Sequence, residues 1–148
     1  MDIRKVNVTD IDEWVRMRNS LWHSCIEEHL SDIEQYFLGN AVNITEMFVL
    51  ERNNGKLGGF IELNIRNYAE GSKATTVPYV EGWYIDRDLR GKGYGKQLIE
   101  VAAKWAKENS FYELASDGEL RNLDSIAAHK AFGFEEVARI VCFVKKLK

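Results

Sequence analysis

Residues 90–95 read Arg-Gly-Lys-Gly-Tyr-Gly, and they lie between a predicted strand, Tyr79 to Ile85, and a predicted helix. The backbone N–H groups at the start of a helix have no partner within the helix, and glycine lets a ligand approach them closely. The helix dipole and the side chains of Arg90, Lys92 and Lys96 add positive charge at the same place. This turn therefore predicts a binding site for phosphate oxygens.

Two common phosphate-binding patterns do not fit this turn. The dinucleotide pattern G-x-G-x-x-G fails because Lys96 stands where its third glycine belongs. The P-loop pattern G-x-x-x-x-G-K-[ST] fails at its first and last positions, which hold Arg90 and Gln97. The pattern R-x-x-G-x-G does fit, on Arg90, Gly93 and Gly95. From this stretch alone, an ordinary tight turn that starts a helix remains the alternative.

A second motif runs from Asn122 to Phe134 and reads N-L-D-S-I-A-A-H-K-A-F-G-F. In this order and spacing, the two motifs resemble the acetyl-CoA pyrophosphate loop and the later motif of the GNAT superfamily of N-acetyltransferases. The resemblance implies an α/β fold with a central mixed, twisted sheet flanked by about four helices. It also implies that acetyl-CoA is the cosubstrate. Its pyrophosphate would be held by Arg90, Gly91, Lys92, Gly93, Tyr94, Gly95 and Lys96.

The hydrophobic pattern along the chain also predicts a mixed α/β domain. Predicted strands are Ile3 to Val8, Phe48 to Glu51, Leu57 to Ile65, Tyr79 to Ile85 and Phe111 to Ala115, with a long β-rich segment from Val137 to Val144. One predicted helix holds Ile11, Trp14, Val15 and Leu21, and three more cover Glu27 to Leu38, Leu98 to Lys107 and Leu123 to Phe132. Thr9 and Asp12 resemble a capping box before the first helix. No repeat or linker is visible, so we expect residues 1–148 to form one domain.

Length, charge and cysteine content argue against several classes of protein. A chain of 148 residues can bury roughly 70% of its unfolded surface, so it needs no disulfide or metal to fold. With 20 basic and 23 acidic residues, it does not resemble a nucleic-acid-binding protein. Cys25 and Cys142 are too few for a disulfide framework or a zinc site, and we expect Cys142 to lie in the core. Without a signal peptide or an apolar run of about 20 residues, we expect a cytoplasmic protein with no membrane, nucleic-acid or metal partner.

Nearly the whole chain resembles one branch of the GNAT superfamily, the aminoglycoside 6'-N-acetyltransferases. The resemblance rests on Met-Asp-Ile-Arg at the start, Leu21-Trp22, Glu81-Gly82, Ala115-Ser116-Asp117 and the stretch from His129 to Glu136. It implies a polycationic aminoglycoside substrate and a homodimer. It implies a drug site lined by Trp22, Tyr68, Glu81 and Asp117. It further implies backbone contacts from Trp83, Tyr84 and Ile85 to the acetyl-pantetheine arm, and a cofactor contact from Asn122.

Physical chemistry draws attention to Glu81 independently. It lies in the apolar stretch from Tyr79 to Trp83, where a carboxylate is costly unless it has a partner or a role. We favour a catalytic role over a structural ion pair. The substrate amine arrives protonated, and we expect Glu81 to remove that proton, directly or through a water, while Asp117 holds the ammonium. His129 is the expected proton donor to the departing thiolate, with Tyr84 as a weaker candidate and a packing role for His129 as the alternative.

Two other functions stay open from the sequence. The chain could be a GNAT enzyme that acetylates another small amine, a polyamine or a peptide. It could also be a non-catalytic acyl-CoA sensor, because a phosphate-binding turn alone provides binding and not turnover. The pairing of Glu81 with Asp117 favours an enzyme over a sensor.

Overall fold

A computed structural model describes all residues from Met1 to Lys148, and a five-stranded sheet organises them. The strands are β1 (Asp2–Lys5), β2 (Glu46–Glu51), β3 (Leu57–Arg66), β4 (Val77–Ile85) and β5 (Ala115–Ser116). They lie in this order, with antiparallel pairing from β1 to β4 and parallel pairing of β4 with β5. The helices are α1 (Ile11–Leu21), α2 (Ile26–Phe37), α3 (Tyr94–Glu108) and α4 (Leu123–Ala131), and none is both long and apolar enough to cross a bilayer. A mixed sheet with four helices confirms the predicted α/β fold class.

Apolar side chains pack on both faces of the sheet. On one face, which we call the α1 face, α1 and α2 cover the sheet through a cluster that includes Trp14, Met17, Ile33 and Phe60. On the other, which we call the α3 face, a second cluster joins α3 to the strands through Leu98, Ile99, Ala102, Ile61, Leu63 and Val80. Because successive strand residues point to opposite sides, each strand side chain belongs to one of these two faces.

The sheet opens between β4 and β5. These strands pair only at Tyr79 with Ala115 and at Val80 with Ser116. Strand β4 continues to Ile85 with no strand beside that edge. Beyond the last pair, Val80 with Ser116, β4 has no partner strand on this side. We call this region the β4–β5 cleft and its last pair the apex.

Strand β5 is shorter than the predicted strand from Phe111 to Ala115. In the observed register, Leu114 would fall opposite Pro78, which has no N–H to donate to the sheet. The ladder therefore starts only at Ala115, and the prediction of a longer strand is wrong.

A β-bulge lies next to the apex of the cleft. Glu62 on β3 pairs with Gly82, but the next residue, Leu63, pairs with Val80. Glu81 is therefore an extra residue in β4, and a bulge of this kind bends its strand and re-aims a side chain.

The first helix is capped earlier than predicted. Asn7 Oδ1 accepts a hydrogen bond from Thr9 N at 3.2 Å, and Asp10 Oδ2 accepts one from Asn7 N at 2.8 Å. The predicted box of Thr9 and Asp12 is wrong because a short 3-10 helix, Val8–Asp10, precedes α1.

The C-terminal segment forms no strand. Residues 134–148 have neither helical nor strand structure, so the predicted β-structure from Val137 to Val144 is wrong. Cys142 is exposed and not in the core. Val137 contacts Gly71, but no strand lies beside residues 138–148, which we call the C-terminal arm. Its exposed apolar side chains are Ile140, Val141, Phe143, Val144 and Leu147.

Candidate active site

The glycine-rich turn leads directly into α3 and follows the end of β4 that has no partner strand in the β4–β5 cleft. Gly91 and Gly93 have φ angles of 74° and 88°, in the left-handed region that glycine adopts at little cost. Gly93 is the N-cap of α3, no side chain caps the first turn, and no acidic residue lies in it. A Cβ added at either glycine would meet nothing within 4 Å. The backbone N–H groups that start α3 are therefore open to an anionic ligand.

The three basic residues of this region differ in their contacts. Arg90 Nε donates to the Ile85 carbonyl at 2.9 Å, and its guanidinium lies 5.7 Å from the Tyr84 ring centre. This side chain therefore lies along the end of β4. Lys92 and Lys96 are exposed. Lys96 has only a solvent-exposed pair with Glu100, at 3.8 Å, so both lysine side chains can turn towards a phosphate.

Glu81 forms a structural ion pair with Arg66. Arg66 donates from Nε to Glu81 Oε1 and from Nη2 to Oε2, both at 2.7 Å. Asn64 Nδ2 adds a third hydrogen bond to Oε1 at 3.1 Å. The expectation that Glu81 has no structural ion pair is therefore wrong. Arg66 is the last residue of β3, and the bulge turns Glu81 towards it.

Arg66 also connects Glu81 with Asp117. Its guanidinium lies 3.5 Å above the centre of the Tyr79 ring, and the Tyr79 hydroxyl donates to Asp117 Oδ2 at 2.6 Å. Burial, followed by the hydrogen bond to Asp117, raises the pKa of Tyr79 above its usual value. The hydrogen bond to the Glu81 carboxylate raises the pKa of Arg66 above its usual value. Tyr79 therefore stays a neutral donor and Arg66 a cation, and the two predicted acids belong to one network.

Glu81 keeps a free acceptor position in this network. A carboxylate offers about four lone-pair sites. Oε1 accepts from Asn64 and Arg66, whereas Oε2 accepts only from Arg66. The Glu81 side chain is 17% exposed, so Oε2 retains a lone pair for one further donor, such as an ammonium group or a water.

Trp22 lies against the same part of β4 from the α1 face. A Cβ at Gly82 would lie 2.5 Å from the Trp22 ring, so only glycine allows the indole to lie this close to β4. Tyr68, in the loop after β3, is 64% exposed. The structure thus brings Trp22 against Gly82, which follows Glu81 in β4, and it leaves most of the Tyr68 side chain exposed.

A buried ion pair, which the sequence does not predict, lies under Trp22. Glu62 is 1% exposed and Arg18 is 6% exposed. Arg18 Nε donates to Glu62 Oε1 at 2.7 Å, and Trp14 Nε1 donates to the same oxygen at 2.8 Å. The guanidinium lies 5.0 Å from the Trp22 ring centre. The sequence did hold a signal, because Glu62, like Glu81, is a carboxylate in an apolar strand.

His29 extends this pair to the backbone of Trp22. Its Nδ1 lies 3.4 Å from Arg18 Nη1, and its Nε2 lies 3.1 Å from the Trp22 carbonyl oxygen. Arg18 also donates to Asp32 Oδ2 at 3.0 Å. Trp22 is thus supported from below by a hydrogen-bonded network that joins α1, α2 and β3.

The residues after Gly82 alternate between the two faces of the sheet. Trp83 packs on the α3 face against His129 and Phe132, whereas Tyr84 stacks on Phe60 of the α1 face. Ile85 also belongs to the α3 cluster. Because no strand pairs with this edge of β4, backbone groups there are available to a ligand in the cleft.

His129 lies on the α3 face, away from the acids. Its Nε2 is 2.7 Å from Ser116 Oγ, and its Nδ1 is 2.7 Å from the Ser125 carbonyl oxygen. Glu81 and Asp117 bond to partners on the opposite face. The structure therefore does not bring His129 together with the predicted acids, although both sets adjoin the apex of the cleft.

Asn122 forms the N-cap of α4. Its Oδ1 accepts from Ser125 N at 3.1 Å, so the predicted cofactor residue has a structural partner at the start of that helix. No cluster of three or more His, Cys, Asp or Glu side chains is placed to hold a metal ion.

Comparison with known proteins agrees with this geometry. The profile of the family described as "Acetyltransferase (GNAT) family" matches residues 14–134. An aminoglycoside N(6')-acetyltransferase type 1 from Klebsiella aerogenes is 38% identical, over 98% of this chain and 96% of that protein. The protein of the same name from Salmonella typhimurium strain LT2 is 32% identical, over 99% of each chain.

Solved structures show the same similarity. The apo aminoglycoside 6'-N-acetyltransferase AAC(6')-IG of Acinetobacter haemolyticus superposes with a TM-score of 0.90 at 30% identity, with 100% of both chains covered. The enzyme AAC(6')-Iy, in complex with the bisubstrate analogue CoA-S-monomethyl-acetylneamine, has a TM-score of 0.89 at 31% identity, over 99% of this chain and 98% of that one.

Proposed function

We infer the reaction from the premise that this chain belongs to the acetyltransferase (GNAT) family. It is an N-acetyltransferase that uses acetyl-CoA. Its acceptor is the 6'-amino group of aminoglycosides, and the reaction inactivates these antibiotics. The observation that carries this conclusion is the similarity, over nearly the full length, to enzymes named for the same reaction. The joined carboxylates beside the cleft support it, because an aminoglycoside is a polycation.

The glycine-rich turn and the cleft fit acetyl-CoA. The open N–H groups at the start of α3, with Lys92 and Lys96 beside them, suit the pyrophosphate. The unpaired edge of β4 from Trp83 to Ile85 offers backbone groups to the pantetheine arm. The resemblance also implies a contact from Asn122 to acetyl-CoA. Because the Asn122 side-chain oxygen caps α4, this contact would come from the Asn122 backbone or from its amide nitrogen.

The acids on the α1 face suit the acceptor amine. We propose that Asp117 and the free lone pair of Glu81 Oε2 receive the 6'-ammonium, and that Glu81 takes its proton directly or through a water. A backbone N–H of the unpaired β4 edge would stabilise the oxyanion. Trp22 and Tyr68 would contact the sugar rings.

His129 would serve the leaving group from the other face. Because Ser116 already contacts its Nε2, we propose that His129 can act here only in its doubly protonated form. Nε2 then gives its proton to Ser116 Oγ while the Ser116 hydroxyl gives its own proton to the thiolate. A thiol has a pKa near 8.5, so the thiolate also leaves without help, and the contribution of His129 to transfer is modest.

A substrate panel tests this function. We expect release of CoA from acetyl-CoA with aminoglycosides that carry a 6'-amine, and none above background with those that carry a 6'-hydroxyl. Polyamines and peptides test the broader GNAT alternative. Equal turnover of 6'-amino and 6'-hydroxyl drugs would contradict the assigned position, and tight CoA binding without any turnover would instead indicate a sensor.

Replacing Gly93 by alanine tests the turn. A side chain at this left-handed φ costs about 1–2 kcal/mol, and relaxation of the turn would move the N–H groups that start α3. We therefore expect the KM for acetyl-CoA to rise by about tenfold, with little change in the KM for the aminoglycoside. Gly55→Ala is the matched control, because Gly55 has a φ of 81° and a similarly open surrounding but lies in the β2–β3 hairpin. An equal rise in both variants would show that the effect is not local to the turn.

We propose a homodimer in which the C-terminal arms cover one another's sheet edge. Monomeric proteins rarely expose a run of apolar side chains such as Ile140, Val141 and Phe143. Strand β5 is the last strand of the sheet and its outer edge is unpaired, which is an edge that another strand can join. The C-terminal arm of a second copy would pair with the edge of β5, and its apolar side chains would be buried there. We also propose a cytoplasmic location, because the reaction requires acetyl-CoA.

Phe143→Asp tests the dimer. We expect the wild-type protein to have the molar mass of a dimer by light scattering, and the variant to dissociate because a charge would be buried in the interface. Leu38→Asp is the control, since Leu38 is also exposed, at 69%, but lies at the end of α2. In a dimer, Cys142 should react with a thiol reagent more slowly than Cys25. A monomeric wild type in which both cysteines react alike would contradict the proposal.

A further inference from the structure

Ser116 and His129 form a hydrogen-bonded pair that the transfer reaction does not require. Ser116 Oγ lies 2.7 Å from His129 Nε2, and His129 Nδ1 lies 2.7 Å from the Ser125 carbonyl oxygen. A carbonyl oxygen only accepts hydrogen bonds, so Nδ1 carries the ring proton. In the neutral ring, Nε2 is then an acceptor, and the Ser116 hydroxyl donates to it.

This is the arrangement of an activated nucleophile. Such a site needs a hydroxyl within hydrogen-bond reach of a base, and a third group that orients the base. His129 Nε2 is the base, and the Ser125 carbonyl takes the place that a carboxylate holds in a Ser-His-Asp triad. The imidazole is also held by packing, because its centre lies 5.3 Å from Trp83 and 5.1 Å from Phe134 in edge-to-face contacts.

The pair lies at the apex of the β4–β5 cleft, next to the position that the proposed function gives to the thioester of acetyl-CoA. Ser116 is the last residue of β5 to pair with β4, opposite Val80, so it stands at the apex of the β4–β5 cleft. Residues paired side by side in parallel strands point to the same face, and Val80 belongs to the α3 cluster. Ser116 therefore lies on the side of the glycine-rich turn, and Glu81 and Asp117 lie on the other. This step rests on the proposed function, which places the acetyl-pantetheine arm in the cleft.

We propose that this protein has a second activity, the hydrolysis of acetyl-CoA through an acetyl-Ser116 intermediate when no amine acceptor is bound. Ser116 Oγ attacks the thioester carbonyl while His129 Nε2 takes the hydroxyl proton. The new O–C bond forms, the C–S bond breaks, and the CoA thiolate leaves and receives that proton. Water then attacks the ester carbonyl while His129 Nε2 takes one of its protons. The bond between the acetyl carbon and Ser116 Oγ breaks, acetate leaves, and the proton on Nε2 returns to Ser116 Oγ. The net reaction converts acetyl-CoA and water into CoA and acetate.

The test incubates the full-length protein with acetyl-CoA alone. CoA and acetate are separated by chromatography, and acid-quenched protein is digested and searched by mass spectrometry for an acetyl group on Ser116. We expect CoA and acetate in equal amounts, and a loss of about 10²-fold in this rate in Ser116→Ala, which removes the nucleophile and its base contact. Ser20→Ala is the matched control, because the Ser20 hydroxyl lies on the exposed surface of α1.

A second variant keeps the inference testable if Ser116→Ala misfolds. Ser116→Cys retains a nucleophile of similar size, and we expect it to accumulate an acetyl group on residue 116. Hydrolysis at the wild-type rate in Ser116→Ala, or no acetate above the solvent rate in the wild type, would overturn the inference.

The same samples separate this inference from the proposed function. Transfer to a 6'-amino aminoglycoside without any acetate release would overturn only the second activity. Acetate release that depends on Ser116, without transfer to any aminoglycoside, would support the second activity and count against the proposed acceptor. If CoA fails to bind by calorimetry and neither product forms, both are wrong.

Discussion

Glu81→Gln is expected to lower the kcat for 6'-amino aminoglycosides by about 10²-fold or more, because the amide cannot take the proton of the bound ammonium. The amide oxygen can still accept one hydrogen bond from Arg66, so Glu81→Gln should keep the fold. The KM for acetyl-CoA should change little, since Glu81 lies on the α1 face and the glycine-rich turn lies beyond the end of β4. Steady-state kinetics with each substrate varied in turn would measure these effects.

The ion pair with Arg66 makes this prediction a sharp test. A carboxylate held by a bidentate arginine has a recognised structural use, so a loss of activity alone would not prove a base. Glu51→Gln is the control, because Glu51 also accepts from an arginine, Arg4, at 2.6 Å but lies on β2. We expect Glu51→Gln to keep its kcat. An unchanged pH–rate profile in Glu81→Gln would show that another residue is the base. A fall in activity that only parallels a fall in Tm would show that Glu81 has a structural role, as the partner of Arg66.

The local sequence predicted the α/β elements and the turn because their signals are local. Leu98, Ile99 and Ala102 repeat at helical spacing, and glycines precede them where the chain needs a positive φ. Whether Val137 to Val144 forms a strand does not depend on its local sequence alone. An apolar, β-rich stretch becomes a strand only beside another strand, and the structure has none there.

Glu81 shows the same limit at the site. The apolar strand around it indicated that the carboxylate needs a partner or a role. Arg66 is fifteen residues away along the chain and comes into reach only because β3 and β4 pair antiparallel with a bulge at Glu81. The pairing of Ser116 with His129 likewise joins β5 to α4. Neither contact follows from spacing along one element, so the sequence identified the residues without their partners.

Trp22 shows how a predicted contact residue depends on residues that were not predicted. The resemblance placed Trp22 in the drug site, and the structure brings it against Gly82. What supports the indole from below is the pair of Arg18 and Glu62, together with His29. Loss of this ion pair should therefore lower the stability of the fold and, as a consequence, disturb the position of Trp22.

Arg18→Met is expected to destabilise the protein by about 3–5 kcal/mol, because it leaves the Glu62 carboxylate buried without its counter-charge. Burial already raises the pKa of Glu62 above its ordinary value of 4.5, and Arg18 and Trp14 oppose that rise. Without Arg18 the pKa of the folded form rises further, so the folded state binds the Glu62 proton more tightly than the unfolded chain does. Stability is then highest below the ordinary carboxyl pKa, and it falls as the pH rises towards the pKa of the folded form.

Urea unfolding of Arg18→Met at several pH values would measure both effects. We expect the stability gap between Arg18→Met and the wild type to widen from mildly acidic to neutral pH. Lys104→Met is the control, because Lys104 forms only an exposed pair with Glu108, and it should change stability by less than about 0.5 kcal/mol. The double variant Arg18→Met/Glu62→Leu removes both charges and should recover much of the loss, since an apolar pair of similar volume often replaces a buried ion pair. A loss below about 1 kcal/mol that does not depend on pH would mean that Glu62 is neutral in the folded protein, and the network under Trp22 would then be held by its hydrogen bonds without a buried charge.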